Sequence, residues 1–160
     1  MKILKNAVLN IGVVVLSILI CILLTRLDAL TGAGNFQSML TTLFGSAFLL
    51  VGLYLRFWAT FLFHQNSMRV INLTPQKTLL TTGPYRFSRN PLYVGIVSIF
   101  FGVALFFGSP SAIVAAVLNF FAWNFTARIE EKELEYVFGV AYVEYKKEVP
   151  RWIRIGSIRI

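Results

Sequence analysis

Acidic side chains are scarce in this chain. Seven of its 160 residues are Asp or Glu, and six of them (Glu130, Glu131, Glu133, Glu135, Glu144 and Glu148) crowd into one stretch near the C-terminus, leaving Asp28 alone. Charged residues of both signs reach only 14%, while hydrophobic residues make up 57%. Soluble domains carry about a quarter charged residues. A soluble core of this size has no room for so much apolar surface, so the expected solvent is a lipid bilayer. The single cysteine, Cys21, excludes an internal disulfide and a cysteine-based zinc site. It lies in an apolar run with no charged neighbour to lower its pKa, which suits a buried structural role. One histidine, His64, has no neighbouring ligand set, so no metal centre is expected. The glycine-rich dinucleotide loop, the phosphate loop, the nucleophile elbow and paired histidines are all missing. Any nucleotide-like cofactor then needs a site embedded in a membrane protein instead of a Rossmann fold.

What is present is a set of long apolar runs. Four are long enough to approach or cross about 30 Å of hydrocarbon at about 1.5 Å per residue, at residues 7–24, 39–63, 91–107 and 111–125. The expected fold is therefore all-α: a polytopic transmembrane helical protein of about four spans, forming one membrane domain over 1–160. The first run is longer than a signal peptide needs and no small-x-small cleavage site follows it, so it reads as a retained span. A loop over 25–38 separates the first two spans, and a polar connector, 64–90, separates the second and third. Gly108-Ser109-Pro110 is so tight a link that the last two spans form an antiparallel hairpin.

Net charge is +8, and the basic residues are not scattered. Lys2 and Lys5 mark the N-terminus, Arg69, Lys77, Arg86 and Arg89 the connector, and seven Lys and Arg the tail from Arg128 onward. The opposite loops hold Arg26 alone. The positive-inside rule places both termini and the connector in the cytoplasm. It accounts for the basic balance without a nucleic-acid partner.

Polar chemistry concentrates in two places. Asn90 suits a helix N-cap and Pro91 the first helical position, so the third span would aim free N–H groups at the cytoplasmic interface. Arg86 and Arg89 lie within a turn of that point. They suit either a bound carboxylate or phosphate or lipid headgroups, with Tyr85 and Tyr93 as interfacial aromatics in the second case. The second place is an amphipathic helix expected over 127–147. Leu134, Val137, Phe138, Ala141, Tyr142 and Tyr145 recur at helical spacing, and Glu130 and Glu131 flank the centre line of that stripe. Carboxylates turned inward at a membrane boundary need partners. Glu133 and Glu135 fall on the solvated side. Arg56, inside the second span, either snorkels to the interface or meets one of the two glutamates.

These residues resemble a known family. Gly83-Pro84-Tyr85, Arg89-Asn90-Pro91, Tyr93 and Gly95 match the G-P-Y-x-x-x-R-[HN]-P-x-Y-x-G pattern of the isoprenylcysteine carboxyl methyltransferase family, relatives of the membrane phospholipid methyltransferases. Glu130-Glu131, Leu134, Phe138-Gly139, Tyr142, Tyr145 and Val149-Pro150-Arg151 resemble its double-glutamate tail, and Arg56-Phe57-Trp58-Ala59 looks like its R-x-W-A. The likeness covers roughly residues 50–153. Asn90 stands where the best-known eukaryotic members carry histidine.

The resemblance implies an enzyme that moves a methyl group from S-adenosylmethionine to a lipophilic small-molecule, lipid or lipidated acceptor, a carboxylate first among the options. It implies a cytoplasmic cofactor site of Tyr85, Arg89, Asn90, Pro91, Tyr93, Glu130 and Glu131, joined by Tyr142, Tyr145 and Arg151. Arg128, with Glu131 nearby at helical spacing, is the expected catalytic pair that orients the acceptor. Two other readings stand beside this one. A membrane reductase of related architecture would take NADPH, and a non-enzymatic scaffold would take neither cofactor.

Overall fold

The computed structural model of the chain describes residues 2–65 and 79–153, with side chains from Ile11 on. Arg69, Pro75, Lys77, Arg154 and Arg159 lie outside the described residues, as do the side chains of Lys2 and Lys5. Among the described residues, five α-helices and one 3-10 turn make up the regular structure: α1 (Lys2–Thr31), α2 (Met39–Gln65), the turn Gly83–Arg86, α3 (Pro91–Phe107), α4 (Pro110–Phe138) and α5 (Val140–Glu148). Within the described residues three helices are long and apolar enough to cross a membrane, over Ile11–Thr31, Met39–Gln65 and Pro110–Phe138, and α3 is a shorter apolar helix. The chain is a polytopic helical membrane protein whose large exposed side chains, Leu23, Leu43, Leu50, Phe57, Leu118 and Phe121 among them, suit a lipid-facing surface.

Two boundaries differ from the expected ones. The first helix does not stop at Leu24; it runs on to Thr31 and carries Arg26 and Asp28 with it. The expected tail helix over 127–147 is two helices. The fourth span continues without a break to Phe138, Gly139 turns the chain with φ 54°, and α5 begins at Val140. This break changes the helical phase. Leu134 and Phe138 pack against the buried Tyr142, Tyr145 and Val149, whereas Val137 and Ala141 are exposed.

The most extensive pairing is α2 against α3, and glycine makes it possible. Gly45 and Gly52 on α2 are seven residues apart, as are Gly95 and Gly102 on α3, and the antiparallel helices put Gly45 against Gly102 and Gly52 against Gly95. A Cβ on Gly45 would lie 2.8 Å from the Gly102 carbonyl oxygen, and one on Gly52 would lie 2.7 Å from that of Gly95. In a bilayer no hydrophobic effect drives helices together, so close backbone approach at small residues supplies the packing. Helix α1 lies across α3 and α4 through Ser17 and Cys21, both buried.

At the end of the bundle remote from the tail, side chains satisfy the helix termini. Ser109 caps α4 by accepting from the Ala112 N–H at 3.1 Å. Asp28, 3% exposed, accepts from Ser109 Oγ at 2.5 Å, from Ser111 Oγ, and from the Ser111 N–H at 3.3 Å. The anionic side chain sits where the helix dipole is positive. Asn35 and Gln37 donate their amides to the last carbonyls of α3, Phe107 and Phe106, at 2.9 and 3.0 Å. The lone acid and the loop after it thus tie α1 to the α3–α4 hairpin.

Candidate active site

At the other end the segment before α3 folds tightly. Gly83 takes φ 60°, and a Cβ there would touch the Trp58 indole at 3.4 Å, so the 3-10 turn rests on α2. Ala59 and Phe63 continue that surface, and the Phe63 ring meets Tyr85 edge-on at 5.9 Å. Arg56, one helical turn deeper than Thr60, is buried and donates Nη1 to the Leu92 carbonyl at 3.2 Å. It therefore reaches α3 instead of either glutamate. Trp58 and Ala59 carry the turn and Arg56 holds the first turn of α3, which gives each defined position of the R-x-W-A element a packing role.

Glu131 is the centre of the polar cluster. It is 4% exposed, and its carboxylate accepts from Arg151 through Nε–Oε1 and Nη2–Oε2, both at 2.9 Å. Arg89 Nη2 lies 3.2 and 3.3 Å from the same two oxygens, and Asn90 Nδ2 donates to Oε1 at 3.2 Å. Two guanidinium groups and an amide satisfy one buried carboxylate, the arrangement such a charge requires. The hydrogen bond to Glu131 raises the Arg151 pKa further above its ordinary value. Asn90 precedes α3 as expected, but its side chain makes no cap; it turns to Glu131 and to the Arg151 carbonyl instead.

The chain after α5 straps this cluster shut. The Arg89 N–H donates to the Pro150 carbonyl at 3.0 Å, and Ser88 Oγ donates to that of Arg151 at 3.1 Å while accepting from the Asn90 N–H at 3.0 Å. Trp152 donates its indole N–H to Asn124 Oδ1 at 3.2 Å and packs on Phe120 at 4.8 Å. Tyr145 Oη donates to the Tyr85 carbonyl at 2.7 Å. Burial pushes the phenols of Tyr85, Tyr142 and Tyr145 well above their ordinary range. Ser88, Asn124 and Trp152 were not singled out from the sequence. Ser88 lies inside the first motif at a position its pattern leaves free, and Asn124 looked like one more residue of the fourth span.

Glu130 stands apart from its neighbour. It is exposed, and Oε1 accepts one bond, from Tyr93 Oη at 2.5 Å. The Tyr93 ring stacks on Trp123 with centroids 4.6 Å apart. Three polar atoms in this region are unspent. Glu130 Oε2 accepts no bond from a described residue, and Arg89 Nε and Tyr142 Oη are buried without a partner among the described residues. Two unspent donors and one open carboxylate oxygen suit a zwitterion bearing a carboxylate and an ammonium, or a carboxylate and hydroxyls.

The structure thus brings together Tyr85, Arg89, Asn90, Pro91, Tyr93, Glu130, Glu131, Tyr142, Tyr145 and Arg151. Arg128 is not among them. Two residues of helix turn it about 160° from Glu130, and its side chain is exposed. Arg86 is exposed as well. Among the described residues no group of three or more His, Cys, Asp or Glu could hold a metal ion.

The sequence that builds this site has known relatives. Residues 40–141 match the family model described as phospholipid methyltransferase, and the chain belongs to that family. It is 40% identical over 76 residues to the protein-S-isoprenylcysteine O-methyltransferase of Xenopus laevis, covering 46% of this chain and 26% of that protein. The enzyme of the same name from Saccharomyces cerevisiae is 28% identical over 120 residues, covering 72% of this chain and 49% of the relative. The Homo sapiens one is 38% identical over 76 residues, 46% of this chain and 26% of its own. The chain spans between a quarter and a half of the length of these curated relatives. No solved structure matches it.

Proposed function

We propose that the chain is an integral-membrane methyltransferase that uses S-adenosylmethionine to methylate a lipophilic acceptor, with a carboxylate as the acceptor group. The observation that carries this reading is the unequal pair. Glu131 is saturated by Arg151, Arg89 and Asn90, while Glu130, held among the described residues by Tyr93 alone, keeps an oxygen for a ligand.

S-adenosylmethionine, when bound, supplies an electrophilic methyl on a sulfonium centre. The residues divide the work of holding it. Glu130 pairs with the ammonium or accepts from the ribose hydroxyls, and Arg89 Nε and Tyr142 Oη donate to the carboxylate. Glu131 is a positioning residue in this scheme, because its bonds already hold Arg89 and Arg151 in place. Tyr93 aims Glu130, and Asn90 and Pro91 fix the start of α3. The acceptor reaches the site laterally from the bilayer, and the positive-inside distribution supports a site on the cytoplasmic side. Arg128, on the far side of α4 from Glu130, takes no part.

Calorimetric titration of the detergent-solubilised protein with S-adenosylhomocysteine, with NADPH in parallel, tests the proposal. Saturable binding of the first is expected. Glu130→Gln should weaken it by about tenfold or more, the scale of a lost charge-assisted hydrogen bond, without loss of folded protein. Binding of NADPH alone would turn the reading to a reductase, and binding of neither would leave a scaffold.

A further inference from the structure

Helix α4 is longer than the hydrocarbon layer is thick. Its 29 residues rise about 43 Å, against about 30 Å of hydrocarbon. Counted from Pro110, that layer ends near Glu130, so the last two turns of α4 stand at the level of the lipid headgroups. Helix α2 gives the same level. Trp58, about 28 Å along it from Met39, pairs with Tyr54 at 5.6 Å, and such amphipathic rings mark a membrane boundary.

The lipid-facing side of α4 does not end at that boundary. Leu118, Phe121, Phe125, Ile129 and Tyr136 are all exposed, Tyr136 by 93%. At about 100° per residue they fall within about 80° of one another, on the side away from the buried Ala116 and Ala127. Arg128 and Lys132 join this face just where the headgroups begin. They are exposed and one helical turn apart, with about 6 Å between their Cβ atoms. Neither forms an ion pair among the described residues. The carboxylates one turn away are already engaged, Glu131 by Arg89 and Arg151 and Glu135 by Lys146 at 2.6 Å. Glu130 lies about 160° around the helix from both cations, and Glu133 about 100° or more.

We propose that Arg128 and Lys132 bind the phosphate of an anionic phospholipid whose acyl chains run down α4 over Phe125, Phe121 and Leu118. Arginine supplies a planar fork for phosphate oxygens and lysine a second, compact charge. Tyr136, about 6 Å above Lys132 along the axis, offers its hydroxyl to the rest of the headgroup. A soluble anion would satisfy the two cations and leave the apolar strip beneath them unused. A phospholipid matches both, in the order in which the face presents them. The site lies on the opposite side of α4 from Glu130 and needs neither cofactor nor acceptor, so it goes beyond the methyltransferase reading and does not rest on it.

Native mass spectrometry of the detergent-solubilised protein, with phosphatidylglycerol and phosphatidylcholine of the same acyl chains supplied in equal amounts, tests the proposal. The wild type should retain phosphatidylglycerol about tenfold more than phosphatidylcholine, the scale of two cations near an anionic headgroup. The double variant Arg128→Gln/Lys132→Gln should bring that preference to within about threefold. Arg86→Gln/Lys147→Gln removes two exposed cations from the same end of the molecule and should leave the preference as it is. Both variants should melt in lipid-free detergent as the wild type does, because all four side chains are exposed. Glycerol phosphate, the anion without chains, should not displace the lipid at equal concentration. Equal retention of the two lipids by the wild type overturns the site, and so does a preference that survives the loss of Arg128 and Lys132. Equal losses in the two variants would reduce it to diffuse positive charge, and displacement by glycerol phosphate would make it a site for a soluble anion; either result overturns the lipid assignment. Retention of phosphatidylglycerol by a protein that takes no S-adenosylhomocysteine would keep this site and sink the methyltransferase reading.

Discussion

Arg151 and Glu131 face each other as a two-pronged pair, Nε to Oε1 and Nη2 to Oε2, both at 2.9 Å, with the carboxylate nearly withdrawn from solvent. The pair joins α4 to the segment after α5, and Arg89 and Asn90 bring the start of α3 into the same joint. Geometry of this kind depends on the planar fork of arginine, which lysine does not reproduce.

Glu131→Gln should therefore act on the fold before it acts on any ligand. It leaves two guanidinium groups without their buried counter-charge, a loss on the order of 3 kcal/mol. Arg151→Lys keeps the charge and loses one prong, so a milder loss of about 1–2 kcal/mol is expected. Thermal melting in detergent checks both. The contrast with Glu130→Gln, which should melt as the wild type does, is the decisive comparison; equal melting of the two glutamine variants would remove the assigned division of labour.

Much of this site was legible in the sequence because both motifs are local. Asn90-Pro91 announces a helix start by its own chemistry, and Glu130-Glu131 beside an apolar stripe announces carboxylates that need partners. The partners themselves were not legible. That Arg151 meets Glu131, and that Arg56 goes to the Leu92 carbonyl instead of a glutamate, depends on how separate helices are placed against each other. The break in the tail helix is illegible for a related reason. A single helical phase across Gly139 predicts Val137 and Ala141 facing inward, but the positive φ of the glycine resets that phase and both are exposed. Asp28 looked like a loop residue because Arg26 and Asp28 interrupt the apolar run, yet its partners on α4 let α1 continue past it.

The four glycines between α2 and α3 should prove nearly irreplaceable. Alanine at Gly45 would place its Cβ 2.5 Å from the Phe106 backbone nitrogen, and at Gly52 2.7 Å from the Gly95 oxygen. Backbone cannot rotate away as a side chain does, so each substitution forces the helices apart, at about 1–3 kcal/mol. Gly12 is the control, because nothing lies within 4 Å of its added Cβ. Denaturant titration in mixed micelles should show Gly45→Ala and Gly52→Ala destabilised and Gly12→Ala unchanged. Equal midpoints would mean the helix pair tolerates separation.

Asp28 should matter for stability and not for ligand binding. Asp28→Ala leaves Ser109 and Ser111 without their acceptor at the start of α4, and about 1–3 kcal/mol should be lost. The site at the opposite end of the bundle keeps all its contacts. A lowered melting temperature with unchanged S-adenosylhomocysteine affinity is expected, and a joint loss of both would show that the two ends are coupled.

The buried phenols set the alkaline limit of the cap formed by α5. Tyr85, Tyr142 and Tyr145 have pKa values raised by burial above the ordinary 10.0, with Tyr145 also donating its proton to the Tyr85 carbonyl. Below pH 10 the folded and unfolded forms hold these protons equally, so they give no pH dependence from pH 7 to 9. Above pH 10 the unfolded chain releases them while the folded one retains them, so stability falls as pH rises. Arg151 works in the same direction, its raised pKa giving stability that is lost only above the ordinary guanidinium range. Melting temperature should accordingly be flat through the neutral range and drop steeply beyond pH 10. Tyr142→Phe should flatten that drop, since it removes the one phenol of the three that is both fully buried and without a hydrogen-bond partner among the described residues. An alkaline limb that this substitution leaves unchanged would place the titrating group elsewhere.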